Sequence, residues 1–110
     1  MRTVAYAGGS FLTGDDVAEV LLEYAAELAN ADRAATLHIP AVGPLGEELD
    51  VTLVVGPASQ LLSEPVETAT DDPDCVQFVA DLTERIGLLR RAPVVAPQPS
   101  NVDWDVQPGP

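Results

Sequence analysis

Few residues in this chain have the chemistry to act as nucleophile, base or metal ligand. It carries one histidine, His38, one cysteine, Cys75, and no lysine, against eighteen acidic residues and five basic ones, all arginine. A general-base role for His38 needs an orienting carboxylate and a nucleophile such as Ser10, Ser59 or Ser63. No G-x-S-x-G elbow accompanies any of these serines, so His38 reads as a surface histidine on a strand. Cys75 lies near the start of an apolar stripe with helical spacing, and a helix N-terminus can acidify a thiol. Asp71, Asp72 and Asp74 flank it in sequence and oppose a thiolate, so it reads as a core cysteine. One His and one Cys cannot make a four-ligand zinc site. Asp71-Asp72-Pro73-Asp74 lacks the calcium-loop pattern and its terminal glutamate. No catalytic residue, metal site or cofactor is expected. With eighteen carboxylates some pair falls at any chosen distance, so paired-carboxylate chemistry has no specific signal.

Gly8-Gly9-Ser10 follows a strand-like run and precedes a helix start, the context of a phosphate-binding loop. The match stops there: neither G-x-G-x-x-G nor G-K-[ST] is present. Asp15 and Asp16 also occupy the first helical turn, where an anion needs bare N–H groups. The triplet reads as a turn between a first strand and a first helix.

The elements that would position these residues follow from periodicity. Residues 3–7 read as a strand, with Val4 and Tyr6 on one face. Thr13 is placed to cap a helix over 15–31, with Asp16 three residues later in a capping-box position. Val17, Leu21, Tyr24 and Leu28 share one face of that helix. Asp15, Glu19, Glu23 and Glu27 form an acidic ridge beside it that no basic residue within the helix neutralises. Each like-charge i,i+4 pair along the ridge costs roughly 0.2–0.5 kcal/mol. Each large apolar side chain buried returns on the order of 1.5–3 kcal/mol. Packing wins, and the ridge has no evident folding purpose.

Residues 36–42 and 49–55 alternate as two strands of a hairpin around the turn Gly43-Pro44-Leu45-Gly46-Glu47-Glu48. Residues 58–66 fit either a helical turn over Leu61 and Leu62 or an edge strand over 60–66, with Pro65 favouring an edge or a strand end. A second helix opens at Asp71-Asp72-Pro73-Asp74, the proline suited to a first turn. It carries Cys75, Val79, Leu82, Ile86 and Leu89 on one face. Arg90 and Arg91 close its negative end, and Ala92-Pro93 stops it.

The expected fold is α+β: a small antiparallel or mixed sheet in β-α-β-β-α order, with two amphipathic helices on one face and an extended Pro-rich C-terminal tail. Residues 1–91 form the single domain and residues 92–110 the acidic, proline-rich tail. At 110 residues and 46% hydrophobic, the chain suits one domain with a real core.

A formal charge of -13 disfavours direct contact with nucleic acid, which is bound by neutralising phosphates. No run approaches the roughly 20 apolar residues that span a bilayer, and no membrane partner is expected. A lone cysteine fits a reducing compartment, so a cytoplasmic location is expected. The functional expectation is a small non-enzymatic protein-interaction module that binds a basic protein surface or itself as a homo-oligomer. Its expected contacts are Asp15, Glu19, Glu23 and Glu27 on the first helix, with Val102, Trp104 and Val106 in the tail. That alternating segment suits strand addition to a sheet edge, and tryptophan is a frequent hot spot. Its competing role is to pack back on its own domain. Two alternatives stand beside the module. One is an acidic nucleic-acid mimic that blocks a basic groove. The other is a ligand-binding domain or enzyme near the Gly8-Gly9 turn, built from His38, Ser10 and a carboxylate.

Overall fold

The structure, a computed structural model, describes residues 1–68 and 72–91. Its elements are β1 (Arg2–Tyr6), β2 (Gly9–Thr13), α1 (Asp15–Asn30), β3 (Ala35–Val42), β4 (Glu48–Val55), β5 (Leu62–Pro65) and α2 (Val76–Arg91). The strands make one antiparallel sheet in the order β4-β3-β2-β1-β5. The α+β class is as expected, with two more strands than the β-α-β-β-α order.

The first extra strand is β2. Gly8-Gly9-Ser10 does not lead into a helix: Ala7 and Gly8 make a two-residue turn, and Tyr6 pairs with Gly9 across it. Gly8 sits at φ +89°, a left-handed conformation that costs glycine little. Gly9 lies under the Tyr6 ring, where an added Cβ would stand 3.1 Å from the tyrosine hydroxyl. Thr13 does not cap α1. It is the last residue of β2, fully buried, and its Oγ1 donates to the Pro40 carbonyl at 2.7 Å. Gly14 takes the N-cap position without a side-chain bond.

The apolar face of α1 is as its spacing predicts: Val17, Ala18, Leu21, Tyr24 and Leu28 are buried, with Val20 added. They meet Val4 and Phe11 from the first hairpin, Leu37, Ile39 and Val55 from the second, and Leu82 and Ile86 from α2. Both helices therefore cover one face of the sheet. At the C-terminal end of α1 the chain reverses through Asp32 at φ 56°, and the Arg33 N–H reaches back to the Leu28 carbonyl at 2.9 Å. This is a left-handed helix stop, with aspartate where glycine is usual.

The β3–β4 hairpin forms as expected, with Leu37 opposite Leu53 and Ile39 opposite Val51. The uncertain stretch after Gly56 resolves as the edge strand, β5, paired with β1. The second helix starts later than its capping signals suggest. Asp72, Pro73, Asp74 and Cys75 precede it, and the Cys75 carbonyl accepts the Val79 N–H at 3.1 Å. Cys75 is thus at the entry of α2 rather than inside its first turn.

Pro40 lies within β3, between two neighbouring strands, where a proline normally breaks a ladder. Its carbonyl points to Thr13 of β2. The N–H and C=O of one residue in an antiparallel strand point to the same neighbour, so the missing donor also faces β2. There the β2–β3 pairing consists of Leu12 opposite Val42, and β2 has already ended. The proline removes no bond that the fold uses.

Candidate interaction surface

The acidic ridge of α1 is not left unneutralised. Arg90, from the last turn of α2, donates through Nε to Glu27 Oε2 and through Nη2 to Glu23 Oε2, both at 3.0 Å. Glu23 and Glu27 are one helical turn apart, so one planar guanidinium reaches both. The two carboxylates push the already high Arg90 pKa further up, Glu27 more than Glu23. The ridge therefore has a folding purpose in this half: it ties α2 to α1. Arg90 bridges the helices in addition to sitting at a helix end.

The other end of the ridge is held differently. The Met1 amine lies 3.0 Å from Asp15 Oδ1 and 2.9 Å from Asp72 Oδ1. Asp72 Oδ2 accepts the Asp15 N–H at 3.0 Å. Asp72, expected to open α2, instead caps α1 from the chain that leads into α2. The Asp15 amide, and then the Met1 amine, hold the Asp72 carboxyl below the usual carboxylate range. The hydrogen bonds that the amine donates to Asp72 and Asp15 raise its own pKa. Glu19 lies between these two pairings, exposed and without an ion-pair partner among the described residues.

His38 and Ser10 are not brought together. Leu12 pairs with Val42; Ser10 precedes that pair on β2, and His38 lies beyond it in the opposite ladder direction. His38 is exposed, with Thr52 Oγ1 at 3.2 Å and Asp50 Oδ2 at 3.9 Å from its Nδ1. The Cys75 thiol is half-buried, and its pKa is pushed up by burial first, then by Asp74 and Glu48. It packs against the core from its margin rather than lying within it. Among the described residues no three His, Cys, Asp or Glu side chains could hold a metal ion, and no helix is long and apolar enough to cross a membrane. Val102, Trp104 and Val106 lie outside the described residues.

A surface that residue-by-residue reading misses is the rim of the sheet. Because Pro40 points its backbone at β2, its partner Asp50 stands in a pair that exchanges no bonds. Asp50 therefore turns its N–H and C=O outward, and by the strand's alternation so do Glu48, Thr52 and Val54. The intervening residues Leu49, Val51, Leu53 and Val55 bond to β3. No described strand pairs with this outer edge. The side chains of the outward-facing residues project on the face away from the helices, where His38 also lies. Val54 is 64% exposed. Beside it a groove of about 850 Å³, lined by Tyr6, Leu53, Pro57 and Leu62 among others, opens between the end of β4 and the start of β5. The sequence signal for this rim was present but indirect: an eight-residue strand free of proline and lysine.

Comparison with protein-family models, with curated proteins and with solved structures finds no match for this chain.

Proposed function

We propose that this chain is a non-enzymatic interaction module, acting in the cytoplasm, whose partner is a basic protein surface or a second copy of itself. The observation that carries the reading is the carboxylate surplus left after the internal pairs are made. Asp16, Glu19, Glu48, Glu64, Asp81 and Glu84 are exposed and have no ion-pair partner among the described residues. Such a field raises the encounter rate with a basic surface and is screened by salt. Of the ridge residues Asp15, Glu19, Glu23 and Glu27, Glu19 is the one without an internal ion pair among the described residues; it supplies the acidic side of the contact with the other unpaired carboxylates, and Val102, Trp104 and Val106 supply an apolar anchor.

The test is capture from the source cell with the full chain at low and at high salt, alongside its mass in solution. A salt-sensitive partner or a defined oligomer is the expected result; a strict monomer that retains nothing sinks the proposal. The nucleic-acid mimic draws less support, because the exposed carboxylates stand on both helices, on β4 and on β5 rather than on one face.

A further inference from the structure

We infer that the outer edge of β4 is a strand-addition site for an extended segment of a basic partner protein. That segment is apolar at its N-terminal end and carries lysine or arginine at its C-terminal end. The inference rests on the interaction reading above and names the surface and the chemistry that would use it.

Long, flat, exposed edges recruit other strands, and proteins usually blunt them with proline, lysine, a bulge or a short strand. β4 has none of these. It runs eight residues with unbroken pairing to β3, and its outward backbone groups at Glu48, Asp50, Thr52 and Val54 form one side of a ready ladder. Main-chain bonds to such an edge give affinity, and the side chains beside it give specificity. Here those side chains are sorted along the strand: carboxylates at Glu48 and Asp50, then Thr52, then exposed Val54 next to the apolar groove.

Charge selects the occupant. A second copy arrives with the same formal charge of -13, and like-charged bodies repel. The chain's own tail segment carries Asp103 and Asp105 between its apolar residues. A basic strand meets no such penalty. Antiparallel pairing matches the rest of the sheet and is the more stable geometry. It places the C-terminal residues of the incoming strand against Glu48 and Asp50, where opposite charges across a ladder attract. Its N-terminal apolar residues then lie at Val54 and the groove.

The probe is an acetylated peptide of alternating valine and threonine with lysines at the two positions facing Glu48 and Asp50. It is titrated into the full-length protein and followed by backbone amide NMR. One control carries glutamate for lysine, and another is N-methylated on the amides that face β4. The lysine peptide should bind and shift the Asp50, Thr52 and Val54 amides. Both controls, and the Thr52→Pro protein with the lysine peptide, should lose at least about tenfold in affinity.

Equal binding of the glutamate or N-methylated peptide overturns the inference, and so does full binding by Thr52→Pro. Two results in the free protein also overturn it. One is slow exchange of the Asp50, Thr52 and Val54 amides, which would assign the edge to the chain's own tail. The other is a dimer that Thr52→Pro dissociates, which would assign the edge to a second copy. A partner captured at low salt equally by wild type and Thr52→Pro sinks this site and leaves the interaction reading standing. A strict monomer without any captured partner sinks that reading instead.

Discussion

β5 and β4 close the same sheet at opposite rims, and they treat the problem of an open edge differently. β5 is four residues long and ends on Pro65. The Val66 N–H bonds inward to the Met1 carbonyl at 3.1 Å, so by alternation Glu64 and Leu62 also face β1, while Pro65 and Ser63 face out. Pro65 has no N–H to offer, which leaves Ser63 as the outward donor of that strand. β4 is twice as long and turns out the N–H groups of Glu48, Asp50, Thr52 and Val54. One rim is finished by a proline; among the described residues the other is left open, with carboxylates near its start. Stability gives no reason for the asymmetry, since either edge could carry a proline facing solvent without losing a ladder bond.

The largest effect that tests this contrast lies inside β4 itself. Val51 faces β3 opposite buried Ile39, so Val51→Pro removes a ladder donor and leaves a buried acceptor unpaired, which should cost about 1–3 kcal/mol. Thr52→Pro, one residue on, removes an outward donor that the fold does not use. Its cost should be limited to the local adjustment of φ and the loss of the exposed Thr52 Oγ1–His38 Nδ1 contact at 3.2 Å, below that of Val51→Pro. Urea unfolding of the two variants measures the difference. If both lose the same stability, the assignment of inward and outward amides is wrong, and the open rim goes with it.

The contrast extends to charge. Asp72 is used internally, accepting the first amide of α1 and pairing with the Met1 amine, whereas Asp50 at the open rim has, among the described residues, a distant ion-pair contact with exposed His38. Asp72→Ala should destabilise by about 1 kcal/mol through loss of the cap; its exposed ion pair adds little. Asp50→Ala should stay within about 0.5 kcal/mol of wild type. The pH dependence tests Asp72 further. Asp72 has a depressed pKa in the folded state, so its stabilisation is complete above the ordinary carboxylate range and is lost as pH falls through the folded value. Thermal melts of wild type and Asp72→Ala should therefore converge in acid. A pH-independent gap for Asp72→Ala would assign its role to packing.

How legible all this was in the sequence depends on how local the signal is. The buried stripe of α1 and the β3–β4 hairpin were readable because period and turn residues lie within one segment. β2 was hidden because its inward residues are Gly9, Phe11 and Thr13, only one of them plainly apolar, and because Thr13 also fits a cap. The capping signals misled twice for the same reason. An oxygen suited to an N–H is visible in sequence, but which helix it caps is decided in space, and Asp72 caps the helix that begins at Asp15. Arg90 left no mark beyond the four-residue spacing of Glu23 and Glu27, which says that a cation could bridge them but not that one arrives from α2. The open rim needed the Thr13–Pro40 bond to fix which amides face outward, and that contact spans two strands and a helix.

The smallest predicted effect is the most direct test of the asymmetry. Ser63→Pro removes the single outward donor of β5, leaving its bonds to β1 through Leu62 and Glu64 in place. Ser63 also receives a long contact from Arg2 Nη1 at 3.5 Å, part-exposed and of little energetic weight. Stability should change by no more than about 0.5 kcal/mol, and affinity for the basic strand peptide should not change at all. Thr52→Pro is the corresponding substitution at the opposite rim, at an exposed position where Ser63 is half-buried but equally sparing of the ladder, and there affinity should collapse. If Ser63→Pro weakens the peptide as much as Thr52→Pro does, then the peptide is reading the acidic surface as a whole. The difference between the rims would then have no functional content.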